Sequence, residues 1–222
     1  MNLPKKSLPF HLQVYDNIKE RIIAGQLKCG DKIQEVRLSK ELNVSRSPVR
    51  EAIRMLENDG LIVKRENILI VNPMTYEDTI EVYECRILLE SYAAGIAAIK
   101  ICDSNIAKLE ICINNMIEFN NNSEDNYLKI VNNNSKFHRI ISEASEHKLI
   151  IEYIKKISAL SMLSRANEFY VFKRGLEYID EHINIFNSIK ARDSIRTENC
   201  VKEHINNDLK FYKMKYEEVN KS

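Results

Sequence analysis

Apolar residues recur at intervals of three and four along most of the chain, and that spacing predicts a mainly α-helical protein. Over residues 10–24, Leu12, Tyr15, Ile18 and Ile22 fall on one face with polar residues opposite, which predicts a first helix. Gly25 and Gly30 bracket the loop after it. Residues 35–42 predict a short second helix with Val36, Leu38 and Leu42 as its apolar positions. Asn43-Val44 makes a turn, and a third helix starts at Ser45–Ser47. Either serine can cap it, and Pro48 is tolerated because the first turn has no N–H partner to lose. Val49, Ala52, Ile53 and Leu56 continue the helical spacing until Gly60 stops it. The pattern then changes: Leu61–Lys64 and Ile68–Val71 are short β-rich runs joined at Arg65-Glu66-Asn67. They predict a hairpin whose turn places Asn67 in the left-handed region.

Asn72-Pro73-Met74 interrupts the pattern as a linker, and Thr75 with Asp78 three residues on marks a helix start. From there helices are predicted at roughly 75–101, 103–119, 124–145, 147–168, 172–190 and 193–217. Asn120–Asn122 reads as a loop, whereas the asparagines at 132–134 sit inside a helical pattern with no evident role. Ile87, Ile141, Leu160 and Ile185 are taken as core. The predicted architecture is a winged helix-turn-helix of three helices and a β-hairpin wing at 8–72, a linker at 73–76, and an all-α bundle of six to seven helices at 77–217.

Charge sharpens this division. The formal net charge is +1, but residues 1–72 hold 13 Lys and Arg against 9 Asp and Glu, and the remainder holds 20 against 23. A basic small domain before an acidic larger one suits a chain that grips a polyanion at one end. Five scattered cysteines with no C-x-x-C pair argue against a disulfide framework or structural zinc, and predict reduced, buried thiols. The N-terminus lacks the apolar stretch of a signal peptide, and no run of eighteen apolar residues occurs, so a cytoplasmic location away from membranes is expected.

The third predicted helix carries Arg46, Arg50 and Arg54 four residues apart. Four residues turn a helix by about 400°, so the arginines form one slowly drifting stripe, separate from Val49, Ile53 and Leu56. Guanidinium groups present a planar fork of donors to phosphate or to the O6/N7 edge of guanine. Ser45 and Ser47 lie where hydroxyls and free backbone N–H groups can hold a phosphate. Taken alone, the stripe is more readily a solvated charged face. The order helix, helix, tight turn, arginine-bearing helix, hairpin favours a reading head for DNA.

At these residues the run LSKELNVSRSPVREAIRMLENDGLIVKR resembles the GntR family of transcription regulators over Leu38–Val63. The resemblance implies a dimeric regulator on a pseudo-palindromic operator, with DNA contacts at Ser45, Arg46, Ser47 and Arg50; Arg54 and Asn67 are added as candidates. Two departures stand out: Cys29-Gly30 replaces a common Pro-Gly, and the wing carries Glu66-Asn67 where Arg-Gly is usual.

Residues 75–215 resemble the FCD ligand-binding domain of the FadR-like subfamily, through Arg86-Ile-Leu-Leu-Glu90, Phe137-His138, Glu181-His182 and His204-Ile205. That resemblance implies that three histidines, His138, His182 and His204, bind a divalent metal (Zn, Ni or Mn) with an acid one turn before the first. Here Asn134 holds the acid's place, and no Asp lies within 131–137. Three readings follow: a three-histidine site helped by the Asn134 carbonyl and an effector carboxylate; a weakened site with a metal-independent ligand; or histidines that only pack. Arg86 either grips an effector carboxylate or pairs with Glu90 on its own helix; Arg139 and Arg165 are further effector candidates.

The expected function is a homodimeric transcription regulator under control of a carboxylate effector. The alternative from another class is a metal-dependent enzyme using the three histidines. It lacks an evident general base and leaves the first domain without a task. A pure dimerisation scaffold, the third reading, predicts no effector response.

Overall fold

The structure, a computed structural model, describes residues 8–121, 127–168 and 177–221, except the side chains at 120, 121, 127, 128, 164–168 and 219. It divides into two units between Thr75 and Tyr76, with Met162–Glu168 grouped in the first.

In the first unit, α1 (Phe10–Ile23), α2 (Glu35–Glu41) and α3 (Arg46–Asn58) enclose a core of Val14, Ile18, Ile22, Leu38, Val49, Ala52, Ile53 and Leu56. The buried residues of α3 recur at the predicted spacing, so one stripe meets α1 while its other side stays wet. Gly60 closes α3 with φ +76°, a left-handed conformation that a Cβ would disfavour. The Tyr15 hydroxyl of α1 donates to Asp59 Oδ2 at 2.6 Å. Burial and the Asp59 carboxylate push that phenol well above its usual range, so it stays protonated and donating. Tyr15→Phe should cost about 1–2 kcal/mol in urea unfolding, since it strands a half-buried carboxylate acceptor; an unchanged midpoint would mean that the contact contributes nothing.

The wing consists of β1 (Ile62–Arg65) and β2 (Ile68–Val71), paired antiparallel with Arg65 opposite Ile68. Glu66 and Asn67 both take positive φ, +49° and +64°, the two-residue turn whose twist suits a hairpin. The loop after α1 does more than connect. Ile33 N–H donates to Leu69 O at 2.8 Å and Val71 N–H donates to Asp31 O at 2.9 Å, so it lines the outer edge of β2. Val36, read from its pattern as an inward position of the second helix, is exposed; two residues along a helix turn it by about 200°, so Val36 faces away when Leu38 faces the core.

The second unit contains α4 (Tyr76–Lys100), α5 (Asp103–Asn121), α6 (Tyr127–Ala144), the first part of α7 (Lys148–Glu168), α8 (Glu177–Lys190) and α9 (Ser194–Asn220). Helix boundaries follow the predicted ones closely, except that α5 continues through Asn120 and Asn121, where a loop was expected; Asn122 and the predicted starts of α6 and α8 lie outside the described residues. Asp193 caps α9 by accepting from Arg196 N–H. The core joins Leu109, Cys112 and Met116 of α5, Phe137 and Ile141 of α6, Ile185 and Ile189 of α8, and Val201 and Ile205 of α9. Ile87 and Leu160 are only partly buried. Gly95 lets α4 and α9 approach closely: a Cβ there would stand 3.3 Å from Ser194 O. The asparagines of α6 have work after all. Asn133 is buried and donates to Cys112 O at 2.8 Å, tying α6 to α5.

All five cysteines are free, but the expectation that they are buried holds only for Cys112; Cys85 and Cys102 are exposed. Among the described residues, no helix is long and apolar enough to cross a membrane.

Candidate functional site

Two places carry the chemistry that the sequence singled out, one in each unit.

The first is the N-terminal end of α3. Ser45 is its N-cap in extended conformation, and its side chain makes no cap hydrogen bond. Ser45, Arg46, Ser47, Arg50 and Arg54 are all exposed, opposite the buried Val49, Ile53 and Leu56. Arg50 pairs with Glu35 of α2 at 3.1 Å, which holds its guanidinium in place at the surface. Among the described residues Arg46 and Arg54 have no ion-pair partner. Asn67 occupies the tip of the wing, as expected. The result is a helix end with uncommitted hydroxyls, first-turn N–H groups and arginine forks facing solvent, which suits contacts to phosphate and base edges.

The second is a buried histidine cluster. His138 comes from α6, His182 from α8 and His204 from α9, and their ligand-type atoms all lie within 4.8 Å of one another. The rings pack edge to face or stacked, with His182 and His204 centroids 4.4 Å apart. Two of the imidazoles hydrogen-bond through Nδ1, and the third has a carboxylate beside that atom. His182 Nδ1 donates to Tyr178 O at 2.6 Å, His204 Nδ1 donates to Glu181 Oε2 at 2.7 Å, and His138 Nδ1 stands 3.1 Å from Glu90 Oε2. Hydrogen bonds engage Nδ1 of His182 and His204 and keep Nε2 out of those contacts, the arrangement that orients metal-binding histidines. The Nε2 atoms of His138 and His204 are buried with no hydrogen-bond partner. Burial, reinforced by neighbouring histidines, holds the His182 imidazole well below its usual range; burial also lowers His138, against the pull of Glu90. Both are therefore neutral near pH 7, as a ligand must be.

Asn134 also reaches the cluster, its Oδ1 lying 2.7 Å from His182 Nε2. Because His182 Nδ1 carries the proton, Nε2 has none to donate. The contact is satisfied either by turning the amide so that Nδ2 donates, or by a cation shared between the two atoms. Converging buried imidazoles, two of them with an Nε2 that has no hydrogen-bond partner, fit a divalent transition metal, and imidazole favours Zn or Ni over Mg or Ca.

Arg86 and Glu90, one turn apart on α4, form a buried pair with Nε and Oε1 2.7 Å apart. Burial alone would raise the Glu90 carboxyl, but the Arg86 charge, with His138, holds it well below the usual carboxylate range. The pair leaves Arg86 Nη1 buried without a hydrogen bond, so pairing with Glu90 does not exhaust the guanidinium. Arg139 is exposed and turned about 100° around α6 from the buried His138. The side chain of Arg165 lies outside the described residues. Sequence reasoning missed Tyr178 and Glu181 as holders of imidazole protons; Glu181 orients His204 on another helix, and no spacing signals that.

The family models agree with this division. Residues 10–68 match the bacterial regulatory proteins of the gntR family, and residues 81–207 match the FCD domain. The uncharacterized HTH-type transcriptional regulator YdhC of Bacillus subtilis (strain 168) is 30% identical over 215 residues, 96% of this chain and 95% of that protein. The chain belongs to the GntR family. This GntR-family regulator is also 25% identical over 193 residues to the gluconate operon transcriptional repressor of Bacillus licheniformis, 82% of this chain and 76% of that one. In fold it is similar to E. coli McbR/YncC, with a TM-score of 0.82 at 21% identity, covering 95% of this chain and 100% of that one. It is thus a transcription regulator in which a winged helix-turn-helix precedes a helical FCD domain. Its relatives are named as regulators, and nothing favours the enzyme reading of the histidines.

Proposed function

We propose that this regulator binds a two-fold operator as a homodimer and responds to a small carboxylate held in the FCD domain beside a divalent metal. The observation that carries the DNA reading is the exposed N-terminal end of α3. Ser45 and Ser47 take phosphate, and Arg46 and Arg50 reach base edges. Arg54 follows the backbone, and Asn67 approaches from the wing. Residues 8–72 act as the reading head, 73–76 as the linker, and 77–217 as the sensing and dimerisation domain. Leu88, Tyr92 and Ile99 lie exposed along one side of α4, an apolar strip that a second copy would cover.

His138, His182 and His204 hold the metal, which supplies a Lewis-acidic anchor for the effector when bound. Asn134 contributes at most a carbonyl. Arg86 Nη1 offers the effector carboxylate a charged donor. A relative that represses a gluconate operon is in keeping with a carboxylate effector. The effector acts by binding one conformation of the regulator better than another, which is the only way it can shift operator occupancy.

The test selects binding sites from a random duplex pool with the full chain and then titrates the selected duplex across a salt series. The logarithm of affinity should fall linearly with the logarithm of salt, with a slope of about −0.9 per phosphate contacted. Equal affinity for the selected and a scrambled duplex would overturn the proposal.

A further inference from the structure

Among the described residues three carboxylates lie beside the histidine cluster, and they do not face it in the same way. Glu90 meets His138 at Nδ1, and Glu181 meets His204 at Nδ1. Both sit behind the imidazoles on the Nδ1 side, Glu181 in a hydrogen bond to His204 and Glu90 as a charge 3.1 Å from His138. Both are further engaged: Glu90 with Arg86, and Glu181 with Asn207, whose Nδ2 donates to Oε1 at 2.8 Å. Asp208 is different. It lies on α9 one turn after His204, and its Oδ2 stands 3.7 Å from His204 Nε2, the lone-pair side. Its side chain is only 14% exposed, and its charge is within reach of both Arg86 and His182.

His204 Nε2 and the Asp208 carboxylate face each other 3.7 Å apart, beyond hydrogen-bond reach, while Nδ1 is taken by Glu181. Nε2 is buried and has no hydrogen-bond partner. Such an arrangement is favourable when a cation lies between them. Two ligands each about 2.1 Å from a tetrahedral ion are themselves roughly 3.4 Å apart, close to the separation found. The uncharged Asn134 cannot supply the anionic ligand that would offset the charge of a dication.

We propose that Asp208 is the acidic ligand of the metal site, delivering from α9 the carboxylate that position 134 of α6 lacks. The inference rests on the reading of His138, His182 and His204 as metal ligands. Helical spacing makes the exchange workable: Asp208 follows His204 by four residues as position 134 precedes His138 by four, so each shares a face with its histidine. The site becomes three imidazoles and one carboxylate, with the Asn134 carbonyl beside it.

The experiment uses the full chain, stripped by a chelator and titrated with Zn²⁺ against a chromophoric competitor, for the wild type, Asp208→Asn, Asn134→Asp and the double variant. Far-UV circular dichroism checks folding of each metal-free protein. The wild type should bind one Zn²⁺ per chain. Asp208→Asn should weaken binding by about 10-fold or more, and Asn134→Asp should restore it in that background while adding less than about 3-fold to the wild type. An Asp208→Asn protein that binds Zn²⁺ as tightly as the wild type overturns the proposal. Should Asp208→Asn not fold, Asn134→Asp alone decides: a gain below about 3-fold supports an acid already in place, and a gain of about 10-fold or more overturns it. A wild type that binds no Zn²⁺ removes both this assignment and the metal reading of the histidines, and leaves the α3 reading untouched.

Discussion

Replacing Glu90 with alanine should destabilise the FCD domain by roughly 3–5 kcal/mol, because it leaves the Arg86 guanidinium buried without its countercharge. Both side chains are almost wholly inaccessible and their closest atoms are 2.7 Å apart. The loss is not a measure of what the pair contributes. Taking two charges out of water costs several kcal/mol for each ion, so replacing both partners with apolar residues of similar volume, Arg86→Met with Glu90→Leu, should be neutral or stabilising by up to about 4 kcal/mol. Thermal and urea unfolding of the two variants check the contrast. If Glu90→Ala unfolds at the wild-type midpoint, the pair is more hydrated than its burial indicates. The double variant should still fold but lose the acceptor beside His138 Nδ1, and with it about 10–100-fold in metal affinity. A functional reason for retaining a costly buried pair follows: Glu90 connects the one buried cation of α4 to the orientation of an imidazole.

The second large effect concerns Arg46. Arg46→Ala should abolish most of the preference for operator over scrambled duplex, a loss of about 1–3 kcal/mol or roughly 10–100-fold per half-site. Arg46 is the first residue of α3, exposed and without an ion-pair partner among the described residues, so nothing competes with DNA for its fork. Arg50 differs, since it must exchange Glu35 for DNA, and its removal should cost less net affinity. Arg46→Lys separates the two components of binding. It keeps the charge that phosphates feel and loses the planar pair of donors, so affinity for scrambled duplex should persist while operator preference falls. Unchanged preference in Arg46→Ala, measured by fluorescence anisotropy at fixed salt, would remove Arg46 from base contact.

Effects at Glu90 and Arg46 draw on different parts of the sequence's legibility. The amphipathic stripe of α3 was readable because Val49, Ala52, Ile53 and Leu56 and the three arginines obey a period that the backbone imposes on neighbours within two turns. The turn of the wing was readable because Asn67 tolerates positive φ; that Glu66 does so as well followed only from the pairing of Arg65 with Ile68. The strand-like edge at Asp31–Ile33 was hidden, since so short a segment has no period of its own and is extended only because β2 offers partners. Val36 and the asparagines of α6 mislead for a related reason. Whether a helical position is wet or buried depends on which neighbour covers it, and Asn133 is buried because a carbonyl of α5 meets its amide.

By itself the sequence determined what local periodicity and side-chain type can carry: the helices, the hairpin, the arginine face and the identity of three histidines. The tertiary structure alone decided how those histidines point. Nδ1 or Nε2 is presented inward according to the rotation of each helix in the bundle and to the group behind the ring, and those groups, Glu90, Tyr178 and Glu181, come from two helices. Asp208 follows His204 by one helical turn in the sequence, but its role depends on which imidazole nitrogen it faces. That fact belongs to packing between helices, which no spacing along a single one encodes.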